Sequence, residues 1–176
     1  MTDPTAESPW AAITGLIREL RQCTAAGCTK AALALAYICI DTMAYLAMPA
    51  DQSRQTPQAF IAWVDTYLKA DASQPYAYCG VDVYAARCGV LHAFSPEADL
   101  HRRDPAIRVF GYHDGGEHVF NPAKAPNLVL IGTASLLNDI VTAIEGFLTA
   151  CQEDAALRAR VETRLPKLLQ TYPIRT

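Results

Sequence analysis

The sequence predicts a mainly α-helical bundle folded as one domain, with a small β-hairpin or sheet inserted at about residues 107–131. Three observations carry this expectation. Most of the chain repeats apolar residues at the three- and four-residue spacing of helices rather than the alternation of strands. The β-like runs are short, rich in valine, isoleucine and aromatic residues, and grouped around Asp114-Gly115-Gly116. A length of 176 residues suits one domain with its own core, and 51% hydrophobic against 19% charged residues is the balance of a compact soluble protein rather than a disordered one. The net charge of −3 gives no global attraction to nucleic acid, so any RNA-binding surface must be local.

Within the single domain, residues 8–95 supply the core helices, 96–132 a loop and the β insertion, and 133–170 the C-terminal helices. The start, MTDPTAESPW, carries two acids and lacks the basic segment and apolar core of a secretion signal, so a cytoplasmic protein is expected. Ser8-Pro9 gives a cap and a first-turn proline for a helix over 9–26, with Trp10, Ile13, Leu16, Ile17 and Leu20 in one stripe. Gly27 breaks it, and Thr29 is placed to cap a second helix over 30–48 that Pro49 ends.

This second helix is apolar almost all the way round and long enough to suggest a membrane span. Asp41 argues against one, because a carboxylate near the middle of a span costs about 2.5–3.5 kcal/mol and alanines offset little of it. The stretch reads instead as the central helix of the bundle. A buried Asp41 needs donors. Either a tyrosine or a cap satisfies it as a structural carboxylate, or it orients Arg87 or His92 on a neighbouring helix.

Thr56-Pro57 repeats the cap-and-proline signal for a third helix to about residue 69, with Phe60, Ile61, Trp63, Val64, Tyr67 and Leu68 on its apolar face. A loop of small and polar residues comes after it, in which Tyr76 and Tyr78 are expected near the next helix, packed against the bundle or stacking on a base. That next helix, over 81–94 (VDVYAARCGVLHAF), is opened by Gly80 and closed by Ser95-Pro96. Tyr84, Cys88 and Leu91 fall on one stripe, and Val83, Arg87, Val90 and Phe94 on the adjoining one. Arg87 and His92 are five residues apart, hence about 140° apart in azimuth and about 7.5 Å along the axis. One phosphate held by both is easier to build where a second copy meets the first, which favours a homodimer with the site on its axis.

After this helix come the charged residues PEADLHRRDPA, then β-like runs at 107–112 and 117–120 that predict a hairpin, with a third strand at 127–131. Thr133 is placed to cap a long helix to about 151–155, and a last helix over 156–169 is kinked or shortened by Pro166.

The string Arg87-Cys88-Gly89-Val90-Leu91-His92, preceded by three helices, resembles the R-x4-6-H motif of HEPN domains. These are small helical bundles of prokaryotic toxins, antiphage defence systems and RNA-guided effectors. The resemblance spans roughly residues 8–94 plus a helix near the C-terminus. It implies a metal-independent, cofactor-free endoribonuclease that dimerises around Arg87 and His92, with a possible antitoxin or defence partner. His92 would be the general base and Arg87 the phosphate-stabilising cation, the only two positions that the resemblance carries over; Asp41, Cys88 and Tyr84 are candidate supporting residues beside them. Where many members have a polar residue after the arginine, this chain has Cys88. Where some toxins carry a tyrosine that a partner nucleotidyltransferase modifies, it has Phe94. The first departure keeps open an inactive module that binds a nucleotide or protein; the second argues against neutralisation by that route.

Three further patterns are open to two readings. Arg102, Arg103 and Arg108 lie just after the motif helix, and Arg158, Arg160, Arg164, Lys167 and Arg175 give the C-terminal segment a positive face; each set is a solvated surface or a phosphate-tracking one. Cys88 and His92 share a helix face, and His113 and His118 flank the glycine turn, a spacing that permits zinc but lacks the tight ligand pair usual at tetrahedral sites. The six cysteines include no C-x-x-C pair and read as reduced, buried thiols.

Overall fold

A computed structural model gives the fold of residues 10–69 and 77–169. It is mainly helical with one small three-stranded mixed sheet, as the sequence predicts. Ser8, Pro9, Tyr76 and Arg175 lie outside the described residues.

Helix α1 (Ala11–Ala25) buries Ile13, Ile17 and Leu20, and ends where Gly27 takes φ +70°. Helix α2 (Thr29–Ala47) then packs back against it. Thr29 is the first helical residue rather than the cap, and Cys28 precedes it without a side-chain bond. One broad side of α2 is buried, from Ala32 and Leu33 through Tyr37 and Ile40 to Met43 and Leu46, because α1, α3, α4, α6 and α7 all pack against the helix, while Ala31 and Ile38 on the other side are exposed. Both α2 and α6 (Thr133–Glu153) are long and apolar enough to cross a membrane, yet about half of each such stretch is buried within the fold.

Helix α3 (Pro57–Trp63) starts as expected, with the Thr56 hydroxyl accepting the Ala59 amide. It runs on into a π-helical turn, Val64–Leu68, and there Trp63 and Tyr67 meet Phe147 of α6 edge-on at 6.2 and 5.3 Å. The turn also carries Asp65, whose carboxylate accepts the Gly80 amide at the start of α4 (Gly80–Ala93). Gly80 has to be small: a Cβ there would lie 2.7 Å from the Ile61 carbonyl. Asp82, only 3% exposed, accepts the Cys79 amide with one oxygen and the Arg108 amide with the other. The motif helix is thus pinned at its start to both the bundle and the sheet.

The segment after α4 forms a short helix, α5 (Asp99–Arg103), in which His101 accepts the Ala98 amide on Nδ1 and donates from Nε2 to the Arg108 carbonyl. The expected hairpin does not form. Strands β1 (Val109–His113) and β2 (Val119–Phe120) do not pair with each other; β3 (Leu128–Gly132) lies between them, parallel to β1 and antiparallel to β2. Burial explains the order, since the most apolar strand, with Val129 and Ile131 fully covered, takes the centre. The glycine segment that would have made a hairpin turn is bound elsewhere. The Ser135 hydroxyl holds the Gly116 carbonyl, the His118 Nδ1 accepts the Gly132 amide, and a Cβ at Gly132 would lie 2.6 Å from the Gly116 carbonyl.

Gly132, not Thr133, occupies the capping position of α6, and the Thr133 hydroxyl donates instead to the His113 carbonyl. The sheet joins the bundle through the Tyr37 and Tyr112 hydroxyls, 2.5 Å apart, and through Tyr78 edge-on to Phe110 at 5.2 Å. Asp154 caps α7 (Ala155–Arg164), and Pro166 shortens it into a single tight turn, Leu165–Lys167.

Arg164 is a correction to the surface reading. It is 7% exposed, and its guanidinium donates to the Met48 and Pro49 carbonyls at 2.6 and 2.7 Å and reaches those of Leu46 and Gln52. It therefore closes the C-terminus of α2, where helix carbonyls have no partners of their own. Arg164→Met should destabilise the fold by about 2–4 kcal/mol, because it leaves the buried Met48 carbonyl and the part-buried Pro49 carbonyl without their donor. That corresponds to a melting temperature lower by roughly 4–16 °C. Arg164→Lys, which restores charge without the fork, should recover only part of the loss in a thermal scan.

Candidate functional site

Arg87 projects from the middle of α4 toward α2, which it meets at Asp41. Its Nε and Nη2 both lie 2.7 Å from Asp41 Oδ2, with the two side chains 22% and 20% exposed. Gln55, on the link between α2 and α3, donates to Asp41 Oδ1 at 3.3 Å and to the Asp41 carbonyl at 3.1 Å. Asp41 is thus a satisfied carboxylate whose chief partner is Arg87. The ion pair uses two of the five guanidinium N–H donors.

The remaining site residues sit along the same helix. Tyr84, one turn before Cys88, packs edge-on against Phe60 at 5.4 Å, and its hydroxyl and the Arg87 guanidinium are both within hydrogen-bonding reach of the Cys88 thiol. His92 is exposed, in the last turn of α4, and close enough to Asp41 for its positive charge to favour the carboxylate. Arg87, Asp41, Cys88, Tyr84 and His92 therefore form one neighbourhood on the outward side of the α2–α4 contact. Gln55, which buttresses Asp41, is a site residue that sequence reasoning misses; it lies in the polar link DQSRQ, where nothing distinguishes a ligand of a carboxylate from an ordinary loop residue.

Burial lifts the Asp41 carboxyl above its ordinary range, and Arg87, Gln55 and His92 pull it only part of the way back. For Arg87 burial acts downward, but the Asp41 carboxylate outweighs it and holds the guanidinium above its usual value. Burial, then the neighbouring Cys88, likewise raises Tyr84.

Other residues of interest fall outside this neighbourhood. Arg102 pairs with Asp99, Arg108 stacks on the Phe120 ring at 4.6 Å, and Arg103 is exposed on α5. Of the C-terminal basic set, Arg158 pairs with Glu162, Arg160 is half-buried, and Arg164 is internal. Tyr78 is buried against the sheet. The four zinc candidates are not assembled: Cys88 and His92 stand on α4, while His113 and His118 turn Nδ1 onto the amides of Gly115 and Gly132. Among the described residues no three histidine, cysteine or carboxylate side chains converge as metal ligands. All six cysteines are free; Cys39 and Cys151 are buried as expected, but Cys28 and Cys79 are exposed.

Comparison with protein-family models, curated proteins and solved structures finds no match to this chain.

The direction of the Asp41 shift has a measurable effect on stability. A carboxyl that titrates higher in the folded state contributes stability below its unfolded value of about 3.9, and loses it as pH rises through the folded value. Arg87→Met removes the main downward pull and so moves that folded value up further. The stability deficit of the variant, measured by urea unfolding, should be larger at neutral pH than at pH values nearer 4, reaching about 1–3 kcal/mol. Adding Asp41→Asn to Arg87→Met should recover most of it. A deficit independent of pH would show that Asp41 is not the group Arg87 compensates.

Proposed function

We propose that the chain is a HEPN-like endoribonuclease of the toxin or defence type, acting in the cytoplasm as a homodimer without metal or cofactor. The observation that carries the reading is the pairing of Arg87 with Asp41 beside an exposed His92, on the one helix that bears the R-x4-6-H string. Asp41 holds the arginine in a fixed orientation, and His92 stands in water where it can exchange protons.

In this reading His92 takes the proton from a ribose 2′-hydroxyl, and the oxygen attacks the adjacent phosphorus. Arg87 stabilises the charge that grows on the phosphoryl oxygens. The P–O5′ bond breaks, leaving a 2′,3′-cyclic phosphate and a 5′-hydroxyl once the leaving oxygen is protonated. A second copy supplies the opposite wall of the cleft, with Tyr84, Arg87 and Leu91 on the facing surfaces. Val90, at 6% exposure, is spent on the core of each chain and is not part of that surface. Arg102, Arg103 and Arg108 would guide the RNA backbone, the last of them tethered by its stack on Phe120. A partner antitoxin or defence protein would restrain the activity.

One feature favours a second reading. Asp41 neutralises much of the charge on Arg87, and Cys88 rather than a polar residue comes after the arginine, a pattern equally suited to a non-catalytic module that binds a nucleotide or a protein.

His92→Ala should lower cleavage roughly 10²- to 10⁴-fold while RNA binding survives. Arg87→Lys should also cut activity sharply, since it keeps the charge but loses the planar fork. Both are read by gel assay of a labelled RNA, with light scattering to confirm the dimer. Cleavage should persist in EDTA. A folded dimer that cuts no RNA would favour the binding module, and EDTA-sensitive cutting would reject the metal-free mechanism.

A further inference from the structure

Phe94 ends α4 in a conformation that an aromatic residue rarely adopts. Its backbone is left-handed, at φ 47° and ψ 37°, and among the described residues it is the one non-glycine with positive φ. Such a conformation is costly for a residue with a Cβ and is ordinarily given to glycine or asparagine. The turn is nevertheless firmly built. The Phe94 amide bonds to the Gly89 and Val90 carbonyls, and the Ser95 amide bonds again to that of Gly89. The chain folds back so tightly over Gly89 that a Cβ there would lie 2.4 Å from the Ser95 carbonyl and 3.2 Å from that of Glu97. Gly89, inside the motif string, is therefore required by the turn.

The result of this construction is a phenylalanine ring that is 65% exposed. Burial does not explain it, since the ring is left in water. Nor is it the centre of an apolar patch along the chain: Ala93, Pro96 and Glu97 are exposed around it, and Glu97 is charged. What does adjoin it along the chain is the exposed His92, in the last turn of the helix that carries the candidate phosphate site. Phe94 comes directly after the last turn of α4, two residues past His92, on the helix that also carries Arg87. An aromatic face next to cations is the pairing with which proteins bind single-stranded nucleic acid.

We infer that Phe94 is a stacking platform for one nucleobase of a single-stranded RNA, displayed by the strained turn beside the phosphate held at Arg87 and His92. The inference rests on the ribonuclease reading for its ligand class, but it concerns binding and requires no cleavage. The base adjoining that phosphate lies one sugar away, so stacking on Phe94 would set which linkage reaches His92. Phe94 is thus a positioning residue, indifferent to hydrogen-bonding edges and tolerant of base identity.

The test measures binding of short, fluorescein-labelled 2′-O-methyl oligonucleotides, one of uridine and one of adenosine, which lack the attacking hydroxyl and cannot be cut. Phe94→Leu keeps apolar bulk but removes the π face, and Phe94→Gly also relieves the left-handed strain. Both should weaken binding by roughly 5- to 150-fold, the range expected for losing one stacked base. Phe94→Gly should at the same time raise the melting temperature, and Phe94→Trp should retain binding, with the new indole fluorescence quenched by the oligonucleotide. The inference is overturned if Phe94→Leu binds like the wild type, if the wild type binds neither oligonucleotide, or if Phe94→Leu turns a dimer into a monomer, which would make the ring a contact between copies. Loss of binding in Phe94→Leu with no cleavage of natural RNA supports the platform and rejects the ribonuclease. Unchanged binding with cleavage that depends on His92 does the reverse.

Discussion

Everything in this fold is arranged around a helix that buries one whole side against its neighbours and leaves only a narrow stripe, Ala31 and Ile38 among it, to solvent. Helix α2 is packed by five other helices, and its apolar surface, from Ala32 to Met43, supplies much of the core. A helix in that position raises two polar problems, a carboxylate in the second turn from its end and a set of C-terminal carbonyls with no helical partners. Each is met by an arginine from a distant part of the chain. Arg164, on α7, closes the carbonyl end; Arg87, on α4, answers Asp41. Elements far apart in sequence are thereby drawn to the two polar points of the central helix. Hydrophobic burial alone, being non-directional, would leave α4 and α7 freer in rotation.

The distinction between pattern and partner decides how much of the fold is legible in the sequence. Helical periodicity is local, so α1, α2, α3, α4 and α6 can be read from spacing, and Thr56-Pro57 marks the start of α3 because cap and proline act within one turn. Asp41 stands out as the one acid in an apolar helix, and its need for a donor narrows the partner to a neighbouring helix. Strand order cannot be read in the same way. Short runs separated by Gly-Gly look like a hairpin locally, and only the burial of Val129 and Ile131 puts β3 in the middle. Arg164 escapes the sequence for a related reason: its surroundings there, Arg158 to Lys167, are those of a solvated face, and its ligands are carbonyls that no side-chain pattern announces.

Phe94 and Gly89 show a different limit. The proline two residues beyond Phe94 suggests where α4 stops, and it does stop there. The manner of stopping depends on Gly89, five residues earlier, admitting the returning chain. A glycine inside a helix of otherwise good formers is normally a small liability. Here it lies between the arginine and the histidine of the motif and makes possible the turn that comes after both.

The site itself has a division that a single chain does not resolve. Asp41 fixes Arg87 and also offsets its charge, so the pair attracts an anion less strongly than a free guanidinium would at the same place. In the proposed dimer the same residues of a second copy would add positive potential, while His92 reaches Asp41 electrostatically from the last turn of α4. The azimuth between Arg87 and His92 keeps them from closing on one phosphate within a single helix, whereas in the proposed dimer a two-fold axis passing midway between them would bring each arginine toward its partner's histidine. In that arrangement the Asp41 pair has a clear use. A guanidinium held by a carboxylate from behind needs no reordering when the phosphate arrives, and preorganised donors stabilise developing charge without reorganisation at the moment of reaction. For the proposed ribonuclease the weaker ground-state attraction would then work in the same direction, since a site that binds the substrate phosphate modestly and the more highly charged transition state better is one that accelerates the step.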